Sequence, residues 1–188
     1  CKGREVQQLL LEGASPSQID SVCVNKVGDK MGIIQVYDLS GLDLGYPQRL
    51  KGIDPKDYRI SDILVDKYNR RGMKNGKGFY DYPNIKRGDR RPKQSEIVEN
   101  VIIEMSKKRG ISRRNISDNE IIERLYYPLI NEGFKVLEEG IAIRPSDIDI
   151  VYIFGYGFPE FRGGPMFWAQ NEIGLKNLYQ TLLKYQKK

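Results

Sequence analysis

The chain has 188 residues, 39% of them hydrophobic, a net charge of +6, two cysteines and no histidine. That length fits one domain or two small ones packed together. No apolar run approaches ~20 residues, so none reads as a membrane span, and the lack of histidine excludes histidine acid–base catalysis and histidine metal ligation within the chain. Cys1 and Cys23 are too few for a disulfide framework and suit no metal site, which points to a reducing compartment. The opening Cys1-Lys2-Gly3-Arg4-Glu5-Val6 is neither a signal nor a transit peptide. It reads as the interior of a helix, and the expectation is a piece of something longer.

Helix signals then follow one another. Val6, Leu9 and Leu10 recur at helical spacing, and Gly13 can close that helix. Ser15 is placed as an N-cap, Pro16 as the first helical residue, and Gln18 completes a capping box. Ile19, Val22, Cys23 and Val27 form the apolar stripe of the next helix, which ends near Gly28. Strand signals are poor: residues 37–45 hold apolar side chains, but Gly41 and Gly45 interrupt them. Ser61 is the expected cap of a helix running to about Asn69.

Two glycine loops fail as cofactor sites. Gly76-Lys77-Gly78 starts like a dinucleotide fingerprint but lacks the third glycine and a preceding strand. Gly72 to Lys77 starts like a phosphate loop, but its glycines are too close and Gly78 replaces the required Ser or Thr. The plainer expectation is a turn that packs Phe79, Tyr80 and Tyr82 onto the helices. Residues 83–95 read as a linker.

Ser95 can cap a helix carrying Ile97, Val98, Val101, Ile102 and Met105, with Gly110 past its end. Ser117-Asp118-Asn119-Glu120 is a capping box that opens the longest helix. Its apolar face is expected on or near Ile121, Leu125, Leu129, Phe134, Leu137 and Ile141, and Pro128 lies inside it. Asp147 and Asp149 are expected to decorate the first turn after Pro145. Being two apart, they do not face each other as a catalytic pair would, nor do the neighbours Glu138 and Glu139. Residues 155–164 read as a tight glycine loop, followed by a helix from Pro165 with Phe167 and Trp168 as core anchors. A last helix runs from about Leu175 with Leu178, Leu182 and Tyr185 on one side.

Charge is uneven. Lys86 to Arg114 holds ten basic and four acidic residues, an excess equal to the net charge of the whole chain. Such an excess attracts polyanions, a nucleic acid or a CoA ester. No RNA-recognition signature, zinc finger or aromatic-interleaved basic stretch accompanies it, so a solvated linker and helix face is favoured and no nucleic-acid partner is expected.

One stretch occurs twice. Leu10, Glu12, Gly13, Pro16, Ser17, Ile19, Asp20 and Val22 return as Leu137, Glu139, Gly140, Pro145, Ser146, Ile148, Asp149 and Val151. The shift is 127 residues before the glycine and 129 after the proline. The expectation is an all-α chain of two similar helical domains related by duplication, 1–85 and 95–188, joined by a basic linker at 86–94.

These segments resemble the C-terminal region of 3-hydroxyacyl-CoA dehydrogenases, most of all the multifunctional β-oxidation enzymes that also carry an enoyl-CoA hydratase. The resemblance rests on 9–20, Asp38-Leu39-Ser40-Gly41-Leu42-Asp43-Leu44-Gly45, 76–82, 127–133, 137–142 and 155–169. It implies two helical domains of the fold shared with 6-phosphogluconate dehydrogenase C-terminal domains. It also implies that an N-terminal Rossmann domain outside this chain binds NAD and supplies the catalytic histidine, with hydratase domains on the same polypeptide. A substrate-proximal asparagine would fall just before Cys1. No catalytic residue and no metal ligand is then expected here. Met31-Gly32-Ile33-Ile34 matches the family's Met-Gly-Pro-Phe loop, which implies that these four residues border the cleft for an acyl-CoA substrate. The multifunctional type implies peroxisomes, other members mitochondria or bacterial cytoplasm. The alternative is a non-catalytic helical interaction module derived from such an enzyme.

Overall fold

The computed structural model describes residues 2–44, 46, 51, 54 and 57–186. Cys1 and Gly45, both used in the sequence reading, lie outside them. Among the described residues the chain is helical, and extended backbone pairs only at isolated bridges such as Gly72 with Lys77 and Asp81 with Lys93. The helices are α1 (Lys2–Glu12), α2 (Pro16–Ser21, continuing as a π-helical segment Val22–Val27), α3 (Ile33–Ser40), α4 (Ile60–Tyr68) and α5 (Glu96–Lys108). They are followed by α6 (Asp118–Glu138), α7 (Pro145–Tyr156), α8 (Pro165–Trp168, continuing π-helically as Ala169–Ile173) and α9 (Leu175–Gln186).

By packing, these elements form two compact units that interleave along the chain. One comprises Gln7–Ser21 and Met31–Ile116. The other comprises the described residues of Cys1–Val6, Val22–Lys30 and Ser117–Lys188.

In the first unit, Leu9, Leu10, Leu11, Ile19, Ile34, Ile60, Leu64 and Ile102 are fully buried, and α4 packs on α5. Ser15 Oγ accepts from the Gln18 N–H at 3.1 Å, as a cap should, and the Gln18 side chain donates to the Ile116 carbonyl. Gly13 closes α1 with φ +142°, and a Cβ there would meet the Arg114 carbonyl oxygen at 1.9 Å. Three arginines of the basic segment serve this unit rather than solvent. Arg113 caps the Leu10 carbonyl at 2.7 Å, Arg114 pairs with Glu12 at 2.9 Å and Arg109 donates to the Tyr58 carbonyl at 2.7 Å. The stretch 83–95 is less loose than its composition indicates. Asp81 and Lys93 exchange both backbone bonds at 2.9 Å, and Arg91 grips Asp89. Ser61 is not the cap of α4: the helix starts at Ile60, because the Asp62 carboxylate reaches back to the Arg59 N–H at 2.9 Å.

In the second unit, Ser117 caps α6 by accepting from the Glu120 N–H at 3.2 Å. The expected apolar face of α6 needs correction. Ile121, Leu125, Tyr126, Tyr127, Ile130 and Gly133 are buried, while Phe134 is exposed and Ile141 lies beyond the helix end. The cause is that α6 is packed from several sides, by the Val22–Val27 segment, α7, α8 and α9, so no single stripe describes it. Trp168 is the anchor of this core. Tyr126 meets it edge-on with ring centroids 5.8 Å apart, Phe158 packs at 6.0 Å, the Arg162 guanidinium lies over it at 4.8 Å, and its Nε1 donates to Glu172 at 3.1 Å. Phe167, expected beside it as a second anchor, has half its surface in solvent.

Removing the Trp168 ring should cost ~3–5 kcal/mol, as for other buried aromatics. Urea denaturation of Trp168→Ala, set against Phe167→Ala, checks this. Equal midpoints for the two variants would refute the assignment of Trp168 as the anchor.

Candidate functional site

The segment Met31–Ile34 forms the start of α3. Asp20, carried on α2, aims its carboxylate at that start. Oδ1 accepts from the Ile34 N–H at 2.7 Å, Oδ2 from the Gln35 N–H at 3.2 Å, and Tyr80 Oη donates to Oδ2 at 2.8 Å. Gly32 is the N-cap residue in ordinary extended backbone, φ −64°. Glycine is needed for space rather than for its dihedral freedom, since a Cβ would stand 2.2 Å from Asp20 Cγ. The four residues divide accordingly. Gly32 and Ile34 are buried under Asp20, and Met31 and Ile33 are half-buried at the surface of the unit. Because Asp20 takes the free N–H groups, this helix start is not an anion site. It is a fixed stretch of apolar wall, continued along α3 by the exposed Val36 and Leu39.

A second carboxylate holds the glycine turn. Asp38 accepts from the Phe79 N–H at 2.7 Å, the Tyr80 N–H at 3.0 Å and Tyr82 Oη at 2.9 Å. Gly78 makes room for it, because a Cβ there would lie 2.0 Å from Asp38 Oδ1. Arg70, almost fully buried, closes the turn from the other side by donating to the carbonyls of Gly78 at 2.6 Å and Tyr80 at 3.2 Å and pairing with Asp81 at 2.8 Å. The turn thus packs Phe79, Tyr80 and Tyr82 inward, as expected. Its N–H groups and its glycine space are occupied by a carboxylate of the chain itself, so it does not fit a nucleotide phosphate.

The second unit carries the same device. Asp149 on α7 accepts from the Met166 N–H at 2.7 Å and the Phe167 N–H at 3.2 Å, at the start of α8. Gly164 stands at its N-cap with φ +101°, and a Cβ there would be 2.3 Å from Asp149 Cβ. Asp149 is therefore not a surface ornament of its own helix, as its position after Pro145 indicates. Only Asp147 plays that part, accepting from the Arg144 N–H at 3.1 Å. Burial pushes the Asp20, Asp38 and Asp149 carboxyls upward, Asp38 to about 6, against the opposing pull of their N–H donors. Burial, together with the neighbouring carboxylates, raises the Tyr80 and Tyr82 phenols, so both stay protonated donors. No cluster of three or more metal-ligating side chains occurs among the described residues. None of their helices is long and apolar enough to cross a membrane. Sequence reasoning missed Asp20 and Asp38 as organisers. The repeated Ile-Asp pair at 19–20 and 148–149 carried that signal for Asp20 and Asp149.

Residues 3–82 match the family of the 3-hydroxyacyl-CoA dehydrogenase C-terminal domain. The chain is 40% identical over 192 residues to a peroxisomal bifunctional enzyme of Danio rerio and 39% identical over 194 residues to that of Homo sapiens. The similarity is to the C-terminal domain of 3-hydroxyacyl-CoA dehydrogenases. Each of these matches takes 94% of the chain but only 26% of the relative, so the chain spans about a quarter of the length of the curated relatives it matches. The dehydrogenase part of multifunctional enzyme 1 from C. elegans superposes with a TM-score of 0.71 at 30% identity, covering 99% of this chain and 41% of that one. A 3-hydroxybutyryl-CoA dehydrogenase from Escherichia coli K12 shares the fold, with a TM-score of 0.63 at 18% identity, over 100% of this chain and 54% of that one.

Two outcomes follow from the carboxylates. Gly32→Ala should destabilise by about 1–3 kcal/mol, the usual cost of forcing extra volume into a packed site. Gly155→Ala, inside α7 with open space around it, should be neutral or stabilising. Comparable losses from both would show that the Asp20 contact is not what Gly32 serves. The Asp38 carboxyl titrates near 6 when folded and near ~3.9 when unfolded. A raised folded value means that the native state binds more protons between those values, so this contribution to stability is full below about pH 4 and is lost as pH rises through about 6. Asp38→Asn should lack that slope, making the stability gap between wild type and variant larger at pH 4 than at pH 7 by about 2–3 kcal/mol. Parallel urea-unfolding curves across that range would exclude it.

Proposed function

We propose that this chain is the helical C-terminal part of an NAD-dependent 3-hydroxyacyl-CoA dehydrogenase of fatty acid β-oxidation. The parent oxidises the C3 hydroxyl of an acyl thioester to a ketone. In this reading NAD and the proton-accepting histidine belong to a Rossmann domain outside the chain, and no residue here carries a chemical step. The chain's part is to present a wall of the acyl-CoA cleft and a packing surface for that domain. Met31, Gly32, Ile33 and Ile34 form the wall, with Gly32 and Ile34 locked by Asp20 and with Met31 and Ile33 turned to the surface. The observation that carries the proposal is an identity of 40% sustained over 94% of the chain against a relative named as a bifunctional enzyme.

The division into a first helical domain at 1–85, a linker at 86–94 and a second domain at 95–188, related by duplication, belongs to the same proposal. It is supported by the match to residues 3–82 and by the paired devices Asp20 with Gly32 and Asp149 with Gly164. The peroxisome is the proposed compartment, on the names of the Danio rerio and Homo sapiens relatives. Hydratase domains on the same polypeptide are proposed from the resemblance to the multifunctional β-oxidation enzymes.

Hydride transfer from an alcohol needs a bound nicotinamide and a group that takes the hydroxyl proton. The chain by itself should therefore not reduce NAD with a 3-hydroxyacyl-CoA, while the full-length polypeptide should. Turnover by the isolated chain that heating abolishes, or none by the full-length polypeptide, would sink the proposal.

A further inference from the structure

The repeat allows one face of the second unit to be compared with another face of that unit. Glu5 and Val6 on α1, with Val22, Cys23 and Val27, correspond at shifts of 127 and 129 residues to Glu132 and Gly133 on α6, with Val151, Tyr152 and Tyr156 on α7. The first set is covered. Val6, Val22, Cys23 and Val27 are at most 2% exposed, and the first half of α6 lies over them. There Arg124 Nε meets Glu5 Oε2 at 2.9 Å, while Tyr126 Oη donates to Asp29 at 2.5 Å and stands beside Cys23.

In the second set Gly133 is buried, but the residues on α7 are less covered. Val151 is 55% exposed and Tyr156 76%, and with Val136, Ile143 and Ile148 they line a groove of about 480 Å3 whose rim carries Glu132 and Asp147. The volume is that of a site for a sizeable apolar group. An uncovered aliphatic and aromatic surface of this kind marks a contact.

We infer that this groove is filled by the helical segment that leads into α1 in the longer polypeptide. Two observations specify that occupant. Lys2 lies over the Tyr126 ring at 4.0 Å and Glu5 meets Arg124, so α1 and α6 run antiparallel. A helix continued backwards from Lys2 therefore travels along α6 past Ile130 towards Gly133 and Val136, which is the groove. Separately, Lys2–Glu12 is the counterpart of the second half of α6, so the counterpart of its first half, the half that covers the first set, is the stretch leading into α1.

The inference rests on the reading of the chain as part of a longer dehydrogenase. Hydrogen exchange of the amides of 133–156 tests it in the isolated chain and in the full-length enzyme. Exchange should be at least about tenfold slower in the full-length enzyme. Glu132→Arg and Val151→Asp should each restore fast exchange there and change nothing in the isolated chain. Equal exchange in both proteins, or protection that both substitutions leave intact, overturns the assignment. So does sedimentation showing that the isolated chain dimerises and protects the same amides, since the face would then belong to a second copy. Dehydrogenase turnover is followed in the same full-length samples. An active enzyme with an unprotected groove refutes only the groove assignment, whereas an inactive one refutes the parent reading.

Discussion

A buried aspartate bonded to the first N–H groups of a neighbouring segment is the interaction on which the rest of this structure depends. Asp20 fixes the start of α3, Asp149 fixes the start of α8, and Asp38 fixes the turn that carries Phe79, Tyr80 and Tyr82. A helix start leaves N–H donors without intrahelical partners, and a buried carboxylate needs donors. Each deficiency cures the other. The bond also sets an orientation, because two oxygens bound to successive N–H groups allow one approach angle only. Short helices that packing alone would hold loosely are thus set at defined positions.

The same arrangement explains why the wall around Met31 is shaped but chemically silent. A glycine at a helix start is often a place where a ligand anion can approach backbone donors. Here the approach is made by the protein's own carboxylate. What remains at the surface is hydrocarbon from Met31, Ile33, Val36 and Leu39. Under the proposed function such a surface contributes shape and exclusion of water to a neighbouring reaction centre, and it offers no proton donor or acceptor of its own.

Much of the architecture was legible in the sequence. Ser15 and Ser117 announced their helices because capping is local chemistry, settled within four residues. The glycine turn was recognisable as a packing element because one cofactor template lacked its third glycine and the other failed on spacing. The face of α6 was not legible, since periodicity describes a helix with one dry side and α6 has several. Asp62 displaced Ser61 from the start of α4 because a carboxylate three positions along can satisfy the N–H that precedes the helix. The roles of Arg109, Arg113 and Arg114 were hidden inside a net charge. A count of cations does not tell which of them end on carbonyls at a helix terminus. Asp149 misled most. Its place in the first turn of α7 suggested the helix's own dipole, while its side chain serves α8, in another element seventeen residues on.

The pairing of each aspartate with a glycine has a consequence for how this sequence can drift. At Gly32 a methyl group would overlap the Asp20 carboxylate, and at Gly164 it would overlap Asp149. Replacing one member of a pair while the other is kept costs stability. A larger residue at the glycine demands a shorter one at the aspartate, and that shorter residue strands the donors of Ile34 or Met166. Residues 20 and 32 are therefore coupled by sterics, as are 149 and 164. Lineages that descend from this chain should change both members of a pair within the same interval or neither.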